Sequence, residues 1–467
     1  MAGKKNTPKT KSRRGNLEEL LKKGIKKHAV PGIAVGIFFE GEERYHVAGV
    51  TSVENPLPVD DHTLFQTGST GKTYTATAIM RLVDQGKLRL EDKVKQHVPE
   101  LRLKDKQAER EATILHLLNH TAGWDGDQYQ STGEGDDSLA NLVRAMAGFE
   151  QRFPLGTRHS YNNVSLSLAG RVLEKVTGQT FEAAMQDLLL DPVGMTESFY
   201  SVNDVATRRF AVGHVNRDDH VEVARPLHMA RNGNPAGGLS STVRDQLKYA
   251  RFHLGDGRSA TGKRLLKKAT LLRMRKPTVR VPRPGNPEYC GISWFLTERD
   301  GIQLVDHGGN THGQNHAFHL APERGFAISV MTNSQPGGSR LEAEVVKWAF
   351  ERFLGLEEPG EPEPLDLTSA QLQEFAGTYE TDAVWLECRV EGDHLVLQSK
   401  LKPATVKALI AEGEKPPPTP ELAAKITPGD GGMVVDGPGK GMQFLFSRGP
   451  DGKVDGLELG RFAAKVK

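Results

Sequence analysis

The sequence contains only two cysteines, Cys290 and Cys388, among its 467 residues. A fold built on disulfides is therefore not expected, and two isolated thiols are typical of a reducing compartment. No run of residues is long and apolar enough to cross a membrane, and no apolar segment follows the basic first residues as a secretory signal would require. These absences predict a cytoplasmic protein without a membrane partner.

The chain also lacks an excess of charge of either sign. Its 61 lysines and arginines nearly balance 59 aspartates and glutamates, which gives a formal net charge of +2. This balance argues against a protein dedicated to binding nucleic acid. The exception is the first fourteen residues, which carry six basic side chains and no acidic one. Residues 1–15 are therefore predicted to form a disordered basic tail.

Length and proline placement predict two domains. A chain of 467 residues exceeds the usual size of a single domain. Residues 357–364 are charged and interrupted by proline, as expected of an exposed linker. In residues 16–356, strand-like runs at both ends, among them residues 289–295, enclose a mostly helical middle, which predicts an α/β domain with one sheet built from both chain ends. In residues 365–467, short strand-like runs, among them residues 406–410, predict a small antiparallel β-domain.

Residues 65–73 are compatible with two different chemistries. Read as Gly-Ser-Thr-Gly-Lys-Thr, they resemble a phosphate-binding loop, but that motif requires a glycine where Gln66 stands and a buried strand where residues 59–64 are polar. Read as Ser-x-x-Lys at a helix start, they bring the Ser69 hydroxyl and the Lys72 amine to one helix face. Lys72 can act as the base for Ser69 only if burial or a nearby cation lowers its pKa from about 10.4.

The tetrapeptide alone does not decide this question. A serine that caps its own helix beside a solvated lysine is the more ordinary interpretation of such a pattern. Ser399 and Lys402 have the same spacing, yet Pro403 follows at once, and a helix is not expected to begin there. Further groups with matching chemistry are needed to support a nucleophilic serine.

Tyr161 and Asn163 are the first such groups. They are two residues apart in a segment between predicted helices, so both side chains face one side if that segment is extended. A phenol beside a lysine amine can be driven towards phenolate and share its proton-transfer role, and Asn163 can bind a substrate carbonyl or hold Lys72. Taken alone, the pair is more typical of a buried tyrosine with one hydrogen bond and an asparagine in a turn.

A third group lies at the end of a predicted strand, at His307, Gly308, Gly309 and Asn310. Paired glycines allow another backbone to approach a sheet edge closely. The N–H that follows them can complete an oxyanion hole.

These motifs occur in the order and approximate spacing of the serine β-lactamase and penicillin-binding-protein superfamily. The sequence most resembles its class C-like branch, which includes family VIII esterases, D-aminopeptidases and D-alanyl carboxypeptidases. The resemblance covers roughly residues 16–355 and extends to flanking stretches at residues 117–124, 173–181, 191–196 and 235–245. It implies a β-lactamase/transpeptidase-like antiparallel sheet flanked by helices with an all-helical insertion. The C-terminal β-domain resembles the lipocalin-like barrel that some peptidases of this family carry.

The resemblance also implies roles for the site residues. Ser69 would be acylated, Lys72 and Tyr161 would manage its proton, and Asn163 would contact Lys72 and the substrate. The backbone N–H groups of Ser69 and Asn310 would form the oxyanion hole.

One departure from the family bears on the substrate. This chain has His307-Gly308-Gly309 where classical β-lactamases have Lys-Thr-Gly, and a lysine there helps to hold the carboxylate of a penicillin-like substrate. The resemblance therefore implies a hydrolase of small esters or peptide-like amides that needs no cofactor. A true β-lactamase and a non-hydrolytic penicillin-binding or sensing protein remain alternatives, and a homo-oligomer is an open option.

Two other patterns compete with this interpretation. Histidines 307, 312, 316 and 319 and the pair at 116 and 120 suggest a metal, but the glutamate of a zinc-protease motif is absent, and residues 316 and 319 should face opposite sides of a strand. No metal site is therefore expected. The acidic stretch at residues 125–137 leads to the hypothesis that it lies near the site entrance and favours substrates with a free amine.

Overall fold

The structure of the protein is a computed structural model that describes residues 16–127, 130–217, 220–285, 287–411, 416, 418–437 and 439–466. The basic tail predicted for residues 1–15 lies outside the described residues. No helix in these ranges is both long enough and apolar enough to span a membrane.

An antiparallel sheet of eight strands organises the first part of the chain. The strands before the helix-rich middle and within it are β1 (Gly32–Phe39), β2 (Glu42–Gly49), β3 (Phe65–Gln66), β4 (Ser198–Phe199), β5 (His214–Asn216), β6 (Val221–Val223) and β7 (Ser240–Ser241). Those after it are β8 (Val279–Val281), β9 (Glu288–Cys290), β10 (Phe295–Arg299), β11 (Ile302–Thr311), β12 (Gln314–Ala321) and β13 (Phe326–Thr332). The order across the large sheet is β2-β1-β13-β12-β11-β10-β9-β8. Its neighbours β1 and β13 come from opposite ends of this region, as predicted.

Helices cover both faces of the sheet. They are α1 (Leu17–Lys27), α2 (Gly71–Asp84), α3 (Val94–His97), α4 (Lys106–Glu111), α5 (Ile114–Leu118), α6 (Ser138–Ala145), α7 (Asn163–Thr177), α8 (Phe181–Met185), α9 (Asp191–Val193), α10 (Val202–Ala206), α11 (Asn234–Gly237), α12 (Val243–Leu254), α13 (Lys268–Met274) and α14 (Gly337–Ala349). Leu21 of α1 and Leu341 of α14 pack with Ile33 on one face, and α2 and α7 belong to the larger core on the other. β1 reads as a continuous apolar run because both of its faces are covered.

The remaining strands form a closed barrel. They are β14 (Gly377–Glu380), β15 (Val384–Glu391), β16 (His394–Leu401), β17 (Glu421–Thr427), β18 (Gly431–Val434), β19 (Gln443–Arg448), β20 (Val454–Glu458) and β21 (Phe462–Lys465), and they pair in chain order with β21 closing on β14. Two short helices, α15 (Ser369–Leu372) and α16 (Pro403–Ala411), accompany them. Closure leaves no free sheet edge. The predicted fold class, an α/β domain of this type followed by an antiparallel barrel, is confirmed.

We propose that residues 16–356 and 365–467 are separate domains. The barrel core contains only residues between Leu372 and Ala463, whereas the other apolar clusters end at Leu356. Residues 357–364 carry neither helix nor strand.

Two local predictions were wrong. The strand predicted at residues 406–410 is part of α16, which begins at Pro403 itself. Proline is tolerated in the first helical turn because the N–H that it lacks has no helical partner there, so Pro403 starts a helix instead of preventing one. The strand predicted across residues 289–295 is interrupted, because a turn at residues 291–294 separates β9 from β10.

Candidate active site

Ser69 lies in a 3-10 turn, Gly68–Thr70, that leads directly into α2. Gly68 has a φ of +52°, and a Cβ on it would lie 2.6 Å from the backbone nitrogen of Asn310. A Cβ on Gly309 would lie 2.0 Å from the Thr67 carbonyl oxygen and 2.9 Å from the Ser69 nitrogen. The serine turn and β11 are therefore in backbone contact, and glycine at both positions permits it.

The Lys72 amine is completely buried beside the Ser69 hydroxyl. Its Nζ donates to Ser69 Oγ at 3.0 Å and to the carbonyl oxygen of Ala236, in α11, at 2.8 Å. Burial holds the pKa of Lys72 well below its usual value, the Arg461 cation lowers it further, and Asp127 partly opposes both. The neutral amine, which can take a proton from Ser69, is thereby favoured.

Tyr161 lies against the same amine. Lys72 Nζ is 4.8 Å from the centroid of the Tyr161 ring, and the His120 ring stacks on that ring at 4.5 Å. Burial raises the pKa of Tyr161. The nearby Ser69 hydroxyl and the Arg461 cation lower this pKa, but their effects are smaller than that of burial. The phenol is therefore protonated at rest and available as a proton donor. This direction of the Tyr161 pKa disfavours the phenolate expected from the sequence, because a neutral amine supplies no charge to stabilise a phenolate.

Asn163 begins α7, where the side chain of Asn162 caps the helix by accepting from the Ser165 N–H. The Asn163 amide donates to Asp127 Oδ1 at 3.2 Å. A contact between Asn163 and Lys72 was predicted from the sequence. In the structure the Lys72 amine donates instead to Ser69 Oγ and to the Ala236 carbonyl oxygen.

His307 lies in β11 and is 2% exposed. Burial, with a smaller contribution from Lys72, lowers the pKa of His307 to about 3, so its ring is neutral. Nδ1 lies 2.6 Å from the Gly308 carbonyl oxygen and must carry the proton, which leaves Nε2 as an acceptor with no partner among the described residues. A neutral acceptor at this place can bind a substrate N–H or O–H, and it cannot supply the positive charge of a lysine.

A cavity of about 750 Å³ joins these groups. Its lining includes Ser69, Tyr161, Asn163 and the four residues His307, Gly308, Gly309 and Asn310, so the structure brings every predicted site residue except the buried Lys72 to one surface. The volume is in the range typical of small-molecule sites. The barrel also lines it, through Leu409, Gly460 and Arg461.

In the described ranges no three histidines, cysteines or acidic residues are grouped so that they could hold a metal ion. Within the acidic stretch, Asp127 pairs with Arg461, Asp136 pairs with Arg231, and Asp125 accepts the backbone N–H of Asp382. The hypothesis that this stretch recognises a free amine stays a prediction, and residues 128–129 lie outside the described residues.

Sequence reasoning missed two groups that lie at the candidate site. The Ala236 carbonyl is a backbone atom, and residues 235–245 had been noted only for their family likeness. Arg461 lies in a barrel turn about 300 positions after Tyr161, and no motif marks it. Only three-dimensional structure brings these groups to the serine.

Residues 17–349 match the β-lactamase family, and this chain belongs to it. Penicillin-binding protein 4 of Amycolatopsis lactamdurans is 31% identical over 369 residues, which is 76% of this chain and 94% of that protein. The solved structure of SurE superposes with a TM-score of 0.73 at 25% identity and covers 96% of this chain and 98% of its own. A class C β-lactamase variant has a TM-score of 0.60 at 20% identity over 71% of this chain and 95% of its own, a likeness of fold. The superfamily acts through a serine acyl-enzyme.

Proposed function

We propose that this protein is a serine hydrolase that forms an acyl-enzyme at Ser69 with small esters or peptide-like amides. The observation that supports it most directly is the buried Lys72 amine, whose Nζ is 3.0 Å from Ser69 Oγ. A capping serine beside a solvated lysine would leave the amine exposed. Complete burial of an amine is costly, and at a functional site it tunes the amine as a base.

In this proposal Ser69 Oγ attacks the substrate carbonyl while its proton passes to the neutral Lys72 amine. The backbone N–H groups of Ser69 and Asn310 stabilise the oxyanion, and the protonated Tyr161 gives its proton to the leaving alcohol or amine. Lys72 restores the proton of Tyr161. Water then cleaves the acyl-enzyme by the same steps in reverse, so that the acid is released and the Ser69 hydroxyl is regenerated.

The neutral His307 supports an ester or amide substrate over a penicillin-like one. A β-lactam carries a carboxylate, and a lysine at this position would offer it a cation. His307 Nε2 offers a lone pair instead, which suits a substrate N–H such as that of a peptide bond.

Active-site labelling tests the proposal. Wild-type protein is treated with a fluorophosphonate and its intact mass is measured, with Ser69→Ala as the matched variant. We expect one adduct on the wild type and none on the variant. The absence of an adduct on the wild type, or an equal adduct on the variant, would refute the proposal that the protein is a serine hydrolase acting through Ser69. Either result would favour a non-hydrolytic binding protein.

A substrate panel then separates the enzyme classes. We expect turnover of nitrophenyl esters or of D- or L-amino-acid amides, and a much lower kcat/KM for a chromogenic cephalosporin. Preferred hydrolysis of the cephalosporin would instead identify a β-lactamase. An acyl-enzyme that forms and then persists without turnover would identify a sensing protein.

A further inference from the structure

The turn between the last two barrel strands is attached to the segment that carries Tyr161. The Tyr161 backbone N–H donates to the Gly460 carbonyl oxygen at 3.1 Å. The Phe462 N–H donates to Ser160 Oγ at 3.2 Å. Two hydrogen bonds on either side of Arg461 therefore fix this turn at the active site.

Arg461 projects from that turn onto the catalytic groups. Its Nη2 donates to Asp127 Oδ1 at 2.7 Å, and its Nε contacts Asp127 Oδ2, so the two side chains form a bidentate ion pair. The guanidinium carbon lies 5.2 Å from the centroid of the Tyr161 ring, the same ring that has Lys72 Nζ at 4.8 Å. Two basic side chains from different parts of the chain thus contact one tyrosine.

Two positive charges beside one tyrosine ring repel each other, and only one of these groups can lose its charge. Arginine remains protonated under all ordinary conditions, so the lysine yields its proton. The other groups near Lys72 add no charge, because burial lowers the pKa values of His120 and His307 and raises that of Tyr161. Among the described residues, Arg461 and Asp127 are then the charged groups that act on the amine.

We propose that Arg461 is a positioning residue through which the C-terminal barrel completes the catalytic centre, because its charge, balanced by Asp127, keeps the Lys72 amine neutral and ready to accept the Ser69 proton. This inference rests on the proposed function. It assigns the barrel a part in the proton transfer at Ser69, beyond lining the cavity.

The rate of phosphonylation of Ser69 by a fluorophosphonate, followed by intact mass from pH 5 to 10, tests the inference without a known substrate. The acid limb of this profile reports the protonation of Lys72. Loss of a neighbouring cation makes protonation of Lys72 easier, so Arg461→Gln should move the limb to higher pH by about one unit, or about tenfold in rate below the midpoint. Arg461→Lys, which keeps the charge, should stay closer to the wild type.

Asp127→Asn should move the acid limb in the direction opposite to that of Arg461→Gln. Removing the anion makes protonation of Lys72 harder, so the limb should move to lower pH. A merely structural loss of the ion pair would affect Arg461→Gln and Asp127→Asn in the same direction. Opposite shifts therefore support the electrostatic role, and parallel shifts or an unmoved limb in Arg461→Gln would overturn it.

Arg158→Gln is the matched interface control. Arg158 reaches the barrel through Asp455 at 3.4 Å and lies 3.8 Å from the centroid of the Phe462 ring. The variant weakens the same domain contact without removing a charge that acts on Lys72, so its limb should stay at the wild-type pH. A shift equal to that of Arg461→Gln would attribute the effect to loosened packing and contradict the inference. Thermal melting of each variant verifies folding, and a wild type that is not labelled would refute the proposed function itself.

Discussion

The pattern Ser-x-x-Lys occurs twice in this chain, and its two copies have different surroundings. At Ser69 and Lys72 the backbone is helical, so positions three apart share a face and the amine meets the hydroxyl at 3.0 Å. At Ser399 and Lys402 the backbone leaves strand β16, where positions three apart point to opposite faces. Identical spacing therefore brings the amine to the hydroxyl only in the helical copy.

Burial separates the two copies further. The Lys72 side chain is 0% exposed and makes its hydrogen bonds to a hydroxyl and a carbonyl oxygen. Lys402 forms an ion pair with Glu380 at 2.5 Å and lies 5.4 Å from the centroid of the Trp385 ring. The first lysine is arranged to lose its proton, and the second is arranged as a charged partner in the barrel.

The largest expected effect is on acylation. Ser69→Ala should lower kcat/KM for any ester or amide substrate by about 10⁴-fold or more, because the covalent step has no other nucleophile. Ser399→Ala should leave both activity and fluorophosphonate labelling at the wild-type level. Steady-state kinetics on a nitrophenyl ester measures both. A Ser69→Ala protein that kept half of its activity would show that the helical copy is structural.

The two lysines should differ almost as strongly. Lys72→Met removes the base while keeping an unbranched side chain in the same space, so kcat should fall by about 10²- to 10⁴-fold. Lys402→Met changes an ion pair in the barrel and should leave kcat unchanged. Similar losses in both variants would mean that the effect comes from folding, which a thermal melt of each protein verifies.

The two glycines of β11, Gly308 and Gly309, should also differ in how strongly their substitution lowers the activity. A Cβ on Gly309 would lie 2.0 Å from the Thr67 carbonyl oxygen, so Gly309→Ala must displace the serine turn from the strand. A displacement of about 1 Å in a catalytic site costs about 10²-fold in rate. A Cβ on Gly308 would meet nothing closer than the His316 carbonyl oxygen at 3.7 Å. Gly308→Ala should therefore stay within about threefold of the wild type, as is usual where space is open. Equal kcat/KM values for the two variants would contradict this account of the contact.

These contrasts also show how far the sequence could predict the fold. The apolar run of β1 predicted a strand of the sheet, because burial on both faces leaves a local signal. The charged, proline-broken stretch at residues 357–364 is likewise a local signal, and it carries the proposed division of the chain. Residues 406–410 were misassigned because a short apolar run has no clear period of its own. Pro403 was expected to prevent a helix, although proline is also a common first residue of helices.

The site was predictable where its chemistry lies in short segments. Ser69, Tyr161 and His307 each belong to a local motif, and their order along the chain completed the pattern. The Ala236 carbonyl and Arg461 left no such signal, since the first is a backbone atom and the second reaches the site from the C-terminal barrel. The burial of Lys72, on which its proposed role rests, is likewise a property of the packed structure and not of the tetrapeptide.

The smallest expected effect is on the stability of the barrel, at the second copy of the pattern. Lys402 holds the pKa of Glu380 below its usual value through their hydrogen bond. A carboxyl whose pKa is lower in the folded protein than in the unfolded chain stabilises the fold fully at pH values above its unfolded-state pKa. The contribution of Glu380 is therefore present at pH 7, and it is lost as the pH falls through the folded-state pKa of Glu380. Lys402→Met should therefore lower the free energy of unfolding by about 0.5 to 1 kcal/mol at pH 7, and by less at pH 3. Lys72→Met replaces a buried amine by an apolar side chain and should not destabilise the protein at either pH. Urea unfolding at both pH values measures the difference, and a larger destabilisation by Lys72→Met at pH 7 would show that the reactive lysine, too, is held mainly for structure.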